Sequence, residues 1–198
     1  ASLRAIPADL DRLTKEIVPP LAEAAIRTVG SMEGDAATAL LRGLIRTAPI
    51  EHARMVAVEE LVRRQSAAAT KDLSLINDFG GLVGRQNVRL RATATRSLGV
   101  FGSERANRFR VTFSIQDDPE VRLAAIETAD ADDVEFAQKK LLFLSINDPS
   151  DQVRFTGYRR LMSSKDPKIR AEGAKGSKDD SVGVRLRVVA EIPAALPA

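Results

Sequence analysis

Five arginines occupy one recurring position in this 198-residue chain: Arg54, Arg91, Arg122, Arg154 and Arg185. Each follows an aliphatic or small residue at the start of an amphipathic stretch. Acids lie close by in sequence: Glu51, Asp118, Asp148 or Asp151, and Asp179 or Asp180. A guanidinium presents a planar fork that fits phosphate or carboxylate. A row of such forks could grip phosphates or an acidic partner, or could pair with carboxylates as a ladder between successive structural units. A cation in the first turn of a helix opposes the helix dipole. Each arginine therefore needs compensation, and the neighbouring acids favour the ladder. At least four of the five are expected to be ion-paired.

Other chemistry is sparse. His52 is the single histidine and stands at a helix start, with no Ser, Cys or metal-ligand partner at motif spacing. A surface position is expected for it. The run Gly80-Gly81-Leu82-Val83-Gly84 lacks the Lys-Ser/Thr of a phosphate loop and reads as a turn. There is no cysteine, so disulfide and thiol chemistry are excluded. No catalytic set, metal set or cofactor motif is visible, and a non-enzymatic role is expected. The net charge is only +3, but it is unevenly spread. Residues 85–110 carry seven arginines against Glu104, whereas 117–135 carry eight acids against Arg122. Phosphate binding needs several cations on one face. Here Arg91 belongs to the ladder, Arg96 projects from one helix, and Arg105, Arg108 and Arg110 belong to another. The basic block is expected to be split.

These residues are positioned by an internal repeat. With Val153 as position zero, Arg154 is +1, Gly157 is +4 and Leu161 is +8. The frame recurs from Val121, Val184, Leu90 and Ala53, and more faintly from Leu21. Successive zeros are 31 or 32 residues apart, with one step of 37. Positions 0, +4 and +8 share one face of a helix. A small residue at +4 lets a neighbouring helix come close. Less regular amphipathic stretches lie between the frames, such as Val134, Ala137, Leu141 and Leu144. Each unit is therefore a pair of helices, A then B. One pair cannot bury both its faces, but a stack of pairs can.

Six units follow, over about 7–32, 33–66, 67–102, 103–130, 131–163 and 164–196, in a single all-α domain. Pro19 and Pro20 suit the first turn of one B helix, and Pro167 opens the last A helix, which Gly173 and Gly176 weaken. Pro193 and Pro197 are expected to end the last B helix. The excess of the long step lies in 77–87. Phe109, Val111, Phe113 and Ile115 alternate like a strand, but the register demands a helix over 105–115.

The segment Asp117-Asp118-Pro119-Glu120-Val121-Arg122-Leu123-Ala124-Ala125 resembles a HEAT-like repeat of the kind found in phycobilin lyases. Leu90-Arg91-Ala92-Thr93-Ala94-Thr95-Arg96-Ser97-Leu98-Gly99 is similar. The resemblance covers about residues 7 to 196. It implies a right-handed α-solenoid of HEAT-like hairpins, an Arg–Asp ladder, and B helices lining the concave face. Such repeats occur in lyases, adaptors and nucleic-acid proteins, so the resemblance speaks to fold and leaves function open. HEAT-like DNA glycosylases share the architecture, but their sites use aromatic residues beside a carboxylate. This chain has no Trp and only 4% aromatic residues, and no such site can be assigned.

The expected activity is binding of a protein or peptide, with a nucleic-acid-binding protein, including a DNA-repair glycosylase, as the alternative. Positions +2, +5, +6 and +9 of the B helices are those the repeat does not need for its core. They bring Leu123, Ile126, Glu127, Phe155, Tyr158, Arg159 and Met162 to one expected surface. Aromatic, Met and Arg residues are enriched at interface centres. These seven residues form the expected partner site. No apolar run approaches a membrane span, and no cofactor is called for.

Overall fold

In the computed structural model, the residues described are 19–68, 88–100, 118–129, 131–132 and 142–195. They are all-helical, with no strand among them. Contacts divide the chain into two compact units, Ala1–Phe101 and Gly102–Ala198.

The first unit contains α1 (Pro19–Ser31), α2 (Asp35–Thr47), α3 (Glu51–Ala68) and α4 (Val88–Val100). Helix α1 begins at the expected proline. Between α1 and α2 the chain turns at Gly34, whose φ of 95° suits glycine. Helix α2 buries Ala37, Leu41, Leu44 and Ile45, spaced by four, three and one. This one-sided stripe marks a helix with one covered face. Helix α3 packs against α1, α2 and α4. Its zero, +4 and +8 residues, Ala53, Ala57 and Leu61, are buried, and so is Val58 at +5.

The second unit contains α5 (Pro119–Glu127), α6 (Leu142–Asn147), α7 (Asp151–Met162), α8 (Pro167–Ala174), a 3-10 turn at Lys175–Lys178, and α9 (Val182–Ala195). Asp118 and Asp166 cap α5 and α8 by accepting from the amides two residues on, each before a proline in the first turn. Helix α8 gives way to the 3-10 turn beside Gly173 and Gly176, as their weak helix propensity predicts. Helix α9 differs from expectation at its end: it continues two residues past Pro193, to Ala195.

Helix α7 is the centre of this unit, in contact with α5, α6, α8 and α9. The glycine at its +4 position has the role foreseen for a small residue there. A Cβ on Gly157 would lie 2.6 Å from Ser145 Cβ, so α6 and α7 approach with no room for a side chain. A Cβ on Gly176 would strike the Tyr158 ring at 2.6 Å, so the 3-10 turn lies flat against that ring. The helix expected over 105–115, the turn over 77–87, the first A helix, and Val134, Ala137 and Leu141 of the fifth unit's A helix lie outside the described residues, whereas Leu144 of that stretch is buried in α6.

Candidate functional site

The ladder arginines are built from the turns between helices. Asp148 and Asp179 each stand five residues before a zero position, at Val153 and Val184. Each accepts a backbone amide two residues on, from Ser150 at 2.8 Å and Ser181 at 2.9 Å. The remaining carboxylate capacity faces the arginine of the preceding B helix. Arg122 donates through Nε at 2.8 Å and Nη2 at 3.0 Å to the two oxygens of Asp148. Arg154 does the same to Asp179, at 2.9 and 3.0 Å. Arg154 Nη2 also donates to Asp151 at 2.7 Å, and its Nη1 to the Asp148 carbonyl at 2.8 Å. Both pairs are shielded from water.

Electrostatics at the second rung follow from this geometry. Burial alone would raise the Asp179 pKa, but Arg154, the Ser181 amide and Tyr158 outweigh it and hold it below the ordinary carboxylate value. The Arg154 value is pushed up, first by its hydrogen bonds to Asp179, against the opposing effect of burial. Burial and the Asp179 charge push Tyr158 up.

The other rungs differ. Arg185 donates through Nη1 to the carbonyls of Asp179 at 2.6 Å and Asp180 at 2.9 Å. Among the described residues it meets no carboxylate, so the expected ion pair is not found at this rung. Arg54 donates through Nε to the Ala48 carbonyl at 2.5 Å. Arg54 and Arg91 each engage a neighbouring group. Two carboxylate rungs are thus established.

The expected exposed patch is corrected. Phe155, Tyr158 and Met162 retain 8%, 5% and 3% of their accessible surface and form a cluster with Val184, Val188 and the partly buried Ile192. Ile126 is fully buried in another cluster with Val153 and Leu161, against which Leu123 packs half-buried. The physical reason is the same in both places. Positions +2, +5 and +9 of one B helix receive the 0, +4 and +8 face of the next. Helix α7 is covered on two faces, and the 0, +4 and +8 frame accounts for only one of them. Of the seven residues, only Arg159 is exposed, while Glu127 is half-buried. Arg159 stands 5.9 Å from the Phe155 ring centroid, and Arg187 of α9 stacks closer, at 4.6 Å. Arg187 also donates to Gln152 at 3.0 Å, which closes the edge of the cluster.

One face escapes this rule. In α9, Leu186 at +2 and Val189 at +5 are 67% and 52% exposed, and Val182, a turn earlier, is 58% exposed. These three were not singled out from sequence. The signal was available for two of them: Leu186 and Val189 occupy, in the last frame, the positions that Phe155 and Tyr158 occupy in the one before, while Val182 stands where Asp151 does. Phe143 and Ile146 of α6 are also exposed.

Two further clusters stabilise the first unit. Glu60, nearly enclosed, accepts from Arg27 at 3.1 Å and from Arg63 at 2.8 Å. Arg64 donates to the carbonyls of Gly30, Met32 and Gly34 and so closes the end of α1. His52 is exposed, as foreseen, and lies 2.9 Å from Glu23. Of the basic block, Arg89, Arg91 and Arg96 each engage a neighbouring group, while Arg85, Arg105, Arg108 and Arg110 lie outside the described residues. Among the described residues no three His, Cys, Asp or Glu side chains converge to hold a metal. No described helix is long and apolar enough to cross a membrane. No protein-family model and no curated protein sequence matches the chain.

Proposed function

We propose that this chain is a non-catalytic scaffold that binds a protein or peptide, built as a right-handed solenoid of HEAT-like hairpins. The observation that carries the reading is the bare stripe Val182, Leu186 and Val189 on α9. Exposed apolar residues one turn apart on one helix form a contiguous patch, and such patches mark interaction sites. Phe155 and Tyr158, the α7 equivalents of Leu186 and Val189, are buried against the next helix, so Leu186 and Val189 favour a packing face that a partner can cover. The binding site thereby moves from the Phe155–Tyr158–Met162 cluster to the outer face of α9. Arg185 and Arg187 flank the stripe and favour an acidic rim on the partner.

A photoreactive amino acid at position 186, in the full chain, tests this against one at exposed Lys168 on α8. The scaffold reading expects a discrete protein adduct from position 186 that is absent from 168. Equal labelling from both positions, or none from 186, would remove the reading. An adduct to nucleic acid instead would transfer support to the alternative.

A further inference from the structure

Helix α9 repeats the outward pattern of α7 residue for residue: Arg185, Leu186 and Val189 stand where Arg154, Phe155 and Tyr158 stand. In α7 all three are engaged. The Arg154 fork holds Asp179, and the two rings are covered by Val184 and Val188. The guanidinium of Arg185 is already held in the corresponding way. Its Nη1 donates to the Asp179 carbonyl, as Arg154 Nη1 donates to the Asp148 carbonyl. The fork edge, Nε and Nη2, takes the next unit's carboxylate at Arg122 and at Arg154, and among the described residues takes none at Arg185. An apolar stripe and an open bidentate cation site therefore lie together on one helix face.

We propose that this face seats a helix of a partner protein whose preceding turn carries an aspartate, docked as a further unit of the stack. The proposal deepens the scaffold reading and rests on it. The chain itself supplies the recognition pattern. Asp148 and Asp179 each stand five residues before the zero position of a helix, which presents Val153, Gly157 and Leu161 at 0, +4 and +8 in α7 and the three aliphatic residues Val184, Val188 and Ile192 in α9. A matching partner has an aspartate, then five residues later the first of three aliphatic residues at that spacing. The carboxylate would accept an amide of its own turn and fill the Arg185 fork, as Asp179 accepts from Ser181 and holds Arg154. The aliphatic residues would cover Leu186 and Val189. A bidentate pair in a partly dry site fixes register as well as attraction.

The probe is a synthetic peptide of residues 178–195, which carries Asp179 and the Val184, Val188, Ile192 face. A hydrocarbon staple between its positions 186 and 190 holds it helical and removes its own exposed leucine. Fluorescence anisotropy with the full chain is expected to show saturable binding. Leu186→Asp in the chain, and Asp179→Asn in the peptide, should each weaken it by about tenfold or more. Arg185→Gln in the chain should remove the peptide's dependence on Asp179. Absence of saturable binding, or binding indifferent to Leu186→Asp and Arg185→Gln, would overturn the proposal. The second pattern would place the peptide on α7 in exchange for α9. A chain that sediments as a dimer and is dissociated by Leu186→Asp would give the face to a second copy, against the proposal. Failure of the peptide alongside a specific protein adduct from position 186 would sink the aspartate-helix partner while leaving the scaffold reading intact.

Discussion

The Arg154 guanidinium meets the Asp179 carboxylate through two near-parallel hydrogen bonds, Nε at 2.9 Å and Nη2 at 3.0 Å, across 25 residues of sequence. The pair joins α7 to the turn that starts α9, so it ties one hairpin to the next. Taking both charges from water is costly, and the pair is stabilising only because every strong donor finds an acceptor. Breaking it from one side leaves a charge stranded. Arg154→Ala is expected to lower unfolding free energy by roughly 1–3 kcal/mol. Urea denaturation of Arg154→Ala, Asp179→Ala and the double variant measures it. The double variant should lose clearly less than the sum of the singles. Strict additivity would mean that the two groups do not act as a pair.

Acid should act on the same contact. The Asp179 carboxyl lies below its ordinary value of 3.8, because Arg154, the Ser181 amide and Tyr158 overcome the upward push of burial. A group whose folded pKa is depressed contributes stability that is complete above the unfolded value and is lost as pH falls through the folded one. This contribution should be flat at neutral pH and decline below about 3.8. Asp179→Asn should lower stability at neutral pH and flatten the slope of urea midpoints between neutrality and acid. A variant slope as steep as the parent's would show that Asp179 is not the titrating group.

The crossing of α6 over α7 depends on a missing side chain. Gly157 lies so close to Ser145 that a Cβ would come within 2.6 Å of Ser145 Cβ and 3.0 Å of its Cα. In an isolated helix, alanine would be favoured over glycine by about 1 kcal/mol. Here overpacking should reverse the sign, with Gly157→Ala costing about 1–3 kcal/mol. Thermal unfolding of this variant checks it. A gain in melting temperature would mean that the helices move apart without penalty.

Much of the fold could be read from residue spacing, and the boundary of legibility is physical. The zero, +4 and +8 positions form one apolar face, and period alone identifies it. The rungs at Arg122 and Arg154 were legible because Asp148 and Asp179 each lie in the turn five residues before a zero position, Val153 and Val184. Phe155, Tyr158 and Met162 were misplaced because a periodic pattern shows which side of a helix is apolar, not how many neighbours the helix has. Apolar residues on two faces of α7 were the sign that it is enclosed on both. The stripe on α9 carries the same sequence signature as the covered residues of α7. Burial distinguishes them, with Phe155 8% and Leu186 67% exposed, and burial depends on neighbours that a helix's own period does not reveal.

The central claim is that equivalent positions of successive B helices have opposite fates: Phe155 is covered and Leu186 is bare. One comparison tests it directly, the urea unfolding midpoints of Phe155→Asp and Leu186→Asp in the full chain. Burying an unpaired carboxylate against Val184 and Val188 should cost several kcal/mol, so Phe155→Asp should unfold at far lower urea or fail to fold. Leu186→Asp should remain within about 0.5 kcal/mol of the parent. Similar losses in both variants, or a stable Phe155→Asp chain, would contradict the stacking of α9 on α7 and with it the assignment of the open face.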